Sequence, residues 1–142
     1  MSNEVGVAYS WILSTLANDS VIVADAPGGL QRAYMPPGSL SPYVVMIFDP
    51  NKSKDYPVFG GGRAYSDLCF SIMVIGNADD TETIINAASR IDQLITVAQT
   101  TTIAGGTLLS SIRDTPVFAD TIIEGEQMTS IGGDYHLLIV VA

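Results

Sequence analysis

The sequence carries little with which to do metal, redox or nucleophilic chemistry. It holds one cysteine, Cys69, and one histidine, His136. A single thiol forms no bridge within the chain, and this inventory excludes cysteine-based zinc and iron–sulfur patterns as well as the paired histidines of a metalloprotease helix. Cations are scarce too: six Lys and Arg stand against fifteen Asp and Glu, for a formal net charge of −9. That balance disfavours tight binding to a nucleic-acid backbone, which depends on Lys and Arg neutralising phosphates. No apolar run is long enough to span a bilayer, and no basic segment precedes an apolar one at the N-terminus. The expectation is a soluble, unexported protein with no membrane partner, for which the N-x-S matches at Asn18 and Asn51 are coincidental.

What is present suits one domain. A chain of 142 residues, 47% of them hydrophobic, can bury roughly 68–70% of its unfolded surface and needs neither disulfide nor structural metal. Val5, Ala8, Tyr9, Ile12, Leu13 and Leu16 recur at spacings of three and four, which predicts an amphipathic helix over 4–16 capped by Ser2 or Asn3. Trp11 lies off that stripe, at a helix edge or a contact with another chain. Asn18, Asp19 and Ser20 form a polar stop, followed by the brief apolar run Val21 to Val23 and a break at Pro27, Gly28 and Gly29. A short strand is expected at Leu30 to Met35, then a turn at Pro36, Pro37 and Gly38, and a central strand covered on both faces at Tyr43 to Phe48.

From Asp49 to Gly62 the residues turn polar and end in three glycines, which predicts a long flexible loop or extension. Leu68, Phe70, Ile72 and Val74 then alternate with Asp67, Cys69, Ser71 and Met73, the period of a strand with one strongly apolar face. Asn77, Asp79 and Asp80 cap a long helix carried by Ile84, Ala87, Ala88, Ile91, Leu94, Ile95 and Ala98 and ending near Gln99. Two short strands, Leu108 to Arg113 and Pro116 to Ile123, are expected next. A turn at Gly132 and Gly133 leads into a last strand, Asp134 to Ala142. Helix, strands, helix, strands without regular alternation gives a single α+β domain, a mainly antiparallel sheet with helices packed on one face.

Catalytic constellations do not assemble from these residues. Gly60, Gly61 and Gly62 run into Arg63 and a strand, so neither phosphate-cradling nor dinucleotide-binding spacing is met. His136 is the only base available to a serine triad, and no G-x-S-x-G turn accompanies it. Glu124 and Glu126 sit in a glycine-flanked turn, where carboxylates are ordinarily solvated. Cys69 has no basic neighbour in sequence to make it a thiolate. The expectation is a non-enzymatic protein with no catalytic residue, metal or cofactor.

The run Arg32-Ala33-Tyr34-Met35-Pro36-Pro37-Gly38, followed by Pro42-Tyr43-Val44-Val45 after an N-terminal helix, resembles the start of the bacteriophage tail-terminator or tail-completion family. The alternating strand, the long helix from Asp79 and the C-terminal strand with His136 are similar to the rest of that pattern, so the resemblance spans nearly the whole chain. It implies a virion protein that forms a ring, usually a hexamer, on the end of the tail tube. The ring stops tube growth and presents a surface to the head connector, so its partners are itself, the tail-tube protein, the connector, and DNA that passes the lumen without specific binding. Acidic copies around a channel would repel a DNA backbone and let it pass. Candidate contacts between subunits or with the tube are Arg32, Arg63, Arg90 and Arg113, whose guanidinium groups can hold a neighbour's carboxylate. Lys52, Lys54, Tyr56 and Phe59 join them, in a segment suited to ordering on contact. Another head-to-tail connector, a tail-tube subunit, or a small cytosolic binding module are the alternatives.

Overall fold

A computed structural model describes residues 3–31, 40–57, 63–123 and 125–141. Helices α1 (Glu4–Ala17) and α2 (Ser20–Asp25) come first, then strands β1 (Leu30–Gln31), β2 (Tyr43–Pro57) and β3 (Arg63–Asn77). A 3-10 turn (Ala78–Asp80) leads into α3 (Thr81–Ile95), and β4 (Thr101–Ile103), β5 (Gly106–Ile123) and β6 (Glu126–Val141) complete the chain. The strands form one sheet in the order β1-β2-β3-β6-β5-β4. All neighbours are antiparallel except β1 and β2, which run parallel. The domain is α+β as expected, with a mixed sheet rather than a purely antiparallel one.

Alternation in β3 divides the sheet into its two faces. Leu68, Phe70, Ile72 and Val74 are buried together with Val44, Met46, Leu108, Tyr135, Leu137 and Ile139 under the helices. Helix α1 contributes Val7, Ala8, Ile12 and Leu16, and α3 contributes Ile84, Ala87, Ala88, Ile91 and Ile95. Trp11 is half-buried against the same core. On the opposite face Tyr43, Val45, Ile75 and Met128 form a second, smaller cluster with Met73 packed on it. Strand β2 is therefore buried on both faces near its start, although among the described residues its outer neighbour is the two-residue β1.

Local signals explain the helix starts. The side chain of Asn3 accepts from Gly6 N at 2.7 Å and begins α1, and Asp19 accepts from Ile22 N at 3.1 Å and begins α2. The apolar run Val21 to Val23 is thus helix: the cap satisfies an otherwise unpaired N–H and outweighs the extended preference of β-branched residues. Asn77 accepts from Asp79 N and caps the 3-10 turn, while Asp80 precedes α3 without a side-chain cap bond. Helix α3 stops at Ile95, four residues before Gln99, because Val97 is drawn into a bridge with Ser111 through hydrogen bonds of 2.8 and 2.9 Å.

Three further expectations are corrected by long-range pairing. The polar segment from Asp49 is not a loop at its start: Asp49 to Pro57 continue β2 and pair with β3 from Cys69 back to Arg63, while 58–62 lie outside the described residues. Of the expected strand Leu30 to Met35, Leu30–Gln31 are strand and pair with β2, while 32–35 and the expected turn at Pro36, Pro37 and Gly38 lie outside the described residues. The two short strands after Gly106 are one, β5, because bulges at Leu108/Ser110 and Arg113/Thr115 absorb the breaks in pattern without ending the ladder. Gly132 and Gly133 do not turn the chain. They lie within β6, paired with Met73 and Ile72 on one side and Val117 and Pro116 on the other. The turn falls at Gly125, whose φ of +79° suits a residue without Cβ.

The reason for glycine inside β6 is space. A Cβ on Gly132 would lie 2.0 Å from the Ile72 carbonyl oxygen and 2.7 Å from Met73 Cα, both backbone atoms that cannot swing aside. Gly132→Ala should therefore destabilise the domain by at least about 1–3 kcal/mol, whereas Ile112→Ala, at a side chain 53% exposed, should stay within about 0.5 kcal/mol of wild type. Denaturant unfolding of the two variants checks this, and equal stabilities would show that β6 relaxes freely at Gly132.

Candidate functional site

The face opposite the helices carries a polar network built by a bulge in β2. Regular pairing breaks between Asp49 and Lys54. Ser53 Oγ donates to Asp49 O at 2.7 Å and accepts from Cys69 N at 2.9 Å, which fixes the bulge on β3. Lys52 is thereby laid over β6, its Nζ 2.9 Å from Asp134 Oδ2. Ser71 Oγ donates to the other oxygen of Asp134 at 2.5 Å. Burial pushes the Asp134 carboxyl up, but the hydrogen bonds from Ser71 and Lys52 outweigh it and hold the group below its usual range. The bond that Lys52 donates to Asp134 in turn raises the lysine.

Beside this pair, His136 Nδ1 lies 2.7 Å from Asp67 Oδ1, and its Nε2 lies 3.7 Å from Asp114 Oδ2. The imidazole is thus held by carboxylates, with no hydroxyl or thiol bonded to it among the described residues. Cys69 is fully buried, and burial together with the nearby Asp134 and Asp49 pushes its thiol up to about 11. It stays protonated at neutral pH and is a poor nucleophile. Among the described residues no group of three or more His, Cys, Asp or Glu is placed to hold a metal ion, and no helix is long and apolar enough to cross a membrane.

The expected contact residues separate into distinct places. Arg90 is engaged within the chain: its Nη2 is 2.7 Å from Asp19 Oδ1 and its Nε 3.2 Å from both oxygens, which pins α3 to the cap of α2 and holds Asp19 below its usual range. Arg113 Nε stands 4.0 Å from Asp92, which also accepts from the buried Tyr135 hydroxyl at 3.0 Å. Lys52 is committed to Asp134. Lys54 and Tyr56 stand together on the β2–β3 hairpin, with Lys54 Nζ 5.1 Å from the Tyr56 ring centroid and the Tyr56 and Tyr65 rings stacked at 4.7 Å. Arg63 begins β3. Arg32 and Phe59 lie outside the described residues.

Two surface side chains escaped the sequence reading. Phe118 and Ile122 are 64% and 74% exposed near the tip of the β5–β6 hairpin. Pro116 in the same run is the signal that could have marked this stretch as an edge strand, since proline cannot donate to a second ladder. Its outer side carries no paired strand among the described residues beyond the β4 ladder at Gly106–Leu108 and the Val97 bridge at Ser111.

Comparison with known proteins places the architecture. No family model matches the sequence, and no curated protein matches it. Among solved structures, a chain from the virion of a native gene transfer agent particle shares the fold, with a TM-score of 0.72, 19% identity and 98% of each chain covered. The likeness runs from end to end, so the fold as a whole is shared and not one motif of it.

The Lys52–Asp134–Ser71 network has a definite pH signature. An aspartate whose native value is depressed contributes stability above the ordinary carboxylate range and loses it as the pH falls through the native value. Asp134→Ala should cost about 1–3 kcal/mol at neutral pH. The gap should persist down to about pH 4 and close below it. Denaturant unfolding across that range is the check, and a gap independent of pH would assign the cost to packing alone.

Proposed function

We propose that this chain is a structural protein of a phage-like virion, and within it a tail terminator. A ring of copies, six by the family resemblance, caps the tail tube, ends its growth and joins the tail to the head connector, and DNA passes its acidic lumen without specific binding. The observation that carries this reading is the fold shared over 98% of both chains with a component of a gene transfer agent virion. The sequence resemblance to tail terminators supplies the finer role. The chemistry of the domain agrees with a structural part: the thiol is buried and protonated, and the histidine is occupied by carboxylates. In this reading the protein works in the virion after assembly in the host cytoplasm. Lys54, Tyr56 and Arg63 on the β2–β3 hairpin, with Arg32, Phe59 and Arg113, are its contacts to neighbours or tube.

A tail-tube subunit or another connector would use the same fold, and the arms described below, which point to opposite ends of the sheet, suit a stack as well as a ring. The two differ in closure, since a terminator makes one closed ring and a tube protein an open series. Light scattering on the purified protein should give a single species of about 90 kDa, six copies of the 15.0 kDa chain. Added to growing tail tubes, the protein should halt elongation. A strict monomer that leaves tube length unchanged would sink the reading, and tubes of indefinite length formed by this chain alone would favour the tube subunit.

A further inference from the structure

We infer that copies of this chain join head to tail through two hairpin arms, the cationic aromatic tip of β2–β3 in one copy seating against the acidic apolar tip of β5–β6 in the next. This rests on the assembly reading above and adds which surfaces meet. Placement is the first observation. Strands β3 and β6 pair from Ser66–Ile139 to Asn77–Met128. The β2–β3 hairpin runs past the first of these pairs, at Tyr56–Tyr65 and Pro57–Arg63. The β5–β6 hairpin runs past the last, at Ile122–Gln127 and Ile123–Glu126. The two tips therefore point to opposite ends of the sheet.

Charge is the second observation. With Lys52 engaged by Asp134, the β2–β3 arm from 54 to 63 carries two cations, Lys54 and Arg63, against one acid, Asp55. The β5–β6 arm from 120 to 126 holds three acids, Asp120, Glu124 and Glu126, and residues 114–142 hold no Lys or Arg. Copies of a chain this acidic repel one another over most of their surface, so attraction is concentrated where the cationic tip meets an acidic one.

Apolar surface is the third observation. Phe118 and Ile122 are four residues apart in an unbroken stretch of β5, hence on one side of the hairpin, and both are largely exposed. The other arm offers the stacked Tyr56 and Tyr65 with Lys54 beside them. Tyrosine faces against Phe118 and Ile122, with Lys54 turned to exposed acids such as Glu126, combine an aromatic anchor with a charged rim, the composition of an interface centre and its border. Because the complementary tips lie at opposite ends of one copy, each contact leaves a free tip at either side. Such a heterologous contact propagates until it closes as a ring or continues as a stack.

Sedimentation velocity on two double variants tests this. Lys54→Glu with Tyr56→Ser spoils the first arm, and Phe118→Ser with Ile122→Ser spoils the second. Each alone should need at least about tenfold more protein for half-assembly than wild type. Mixed in equal amounts they should give a one-to-one dimer that grows no further, since each supplies the arm the other lacks. If a variant melts well below wild type, the charge swap decides: Glu126→Lys should weaken assembly, and Lys54→Glu in the same chain should restore it. Variants that melt and assemble like wild type, a mixture that stays monomeric, or a swap without restoration would overturn the arm contact while leaving assembly itself intact. Loss of tail capping with self-assembly unchanged would also overturn it, assigning the arms to another protein. A wild-type chain that never assembles would remove the assembly reading first.

Discussion

The pairing of β3 with β6 is the constraint on which the rest of the molecule depends. Twelve consecutive partners, from Ser66–Ile139 to Asn77–Met128, run without a register shift between strands that are distant in sequence. The period of a strand is two, so a slip of one residue would exchange Leu68, Phe70, Ile72 and Val74 for Asp67, Cys69, Ser71 and Met73 beneath the helices. Gly132 and Gly133 permit this register, because they bring the backbones of β3, β6 and β5 closer than any side chain at those positions would allow. The bulges needed elsewhere fall in β2 and β5, the strands on either side, so irregularity is kept out of the central pair.

Each surface follows from that register. One face is apolar and takes α1 and α3, with Arg90 and Asp19 fixing α2 to α3. The other face turns Ser71, Asp134 and His136 outward, and the bulge of β2 folds Lys52 over them. A buried carboxylate with two donors adds definition to the fold more than net stability, because desolvation opposes much of the attraction. The flanking strands extend beyond the central pair at opposite ends, and these overhangs carry the exposed aromatic, aliphatic and charged side chains that the interior has no use for.

The position of the charges gives the acidic composition a physical meaning. Uniform acidity would only keep copies apart. Placing Lys54 and Arg63 on the β2–β3 arm, while residues 114–142 hold no Lys or Arg, makes the chain polar along its strands. A chain polar in this way associates with a direction rather than face to face.

The sequence by itself determined the helix stripes of α1 and α3, the two-faced alternation of β3, the α+β class and the poverty of catalytic groups, all of which depend on neighbours three or four residues away or on composition. Tertiary structure alone decided that Gly132 and Gly133 sit within a strand, that Asp49 to Pro57 form half of a hairpin, and that Val21 to Val23 coil into a helix. It also decided which charges meet: Lys52 and Asp134 are 82 residues apart, and Arg90 and Asp19 are 71. Of the residues in the proposed contact, Lys54 and Tyr56 stood out as residue types, whereas Phe118 and Ile122 did not. Exposure at an edge strand depends on which strands fail to pair beside it, and pairing between distant segments leaves no periodic trace in either one.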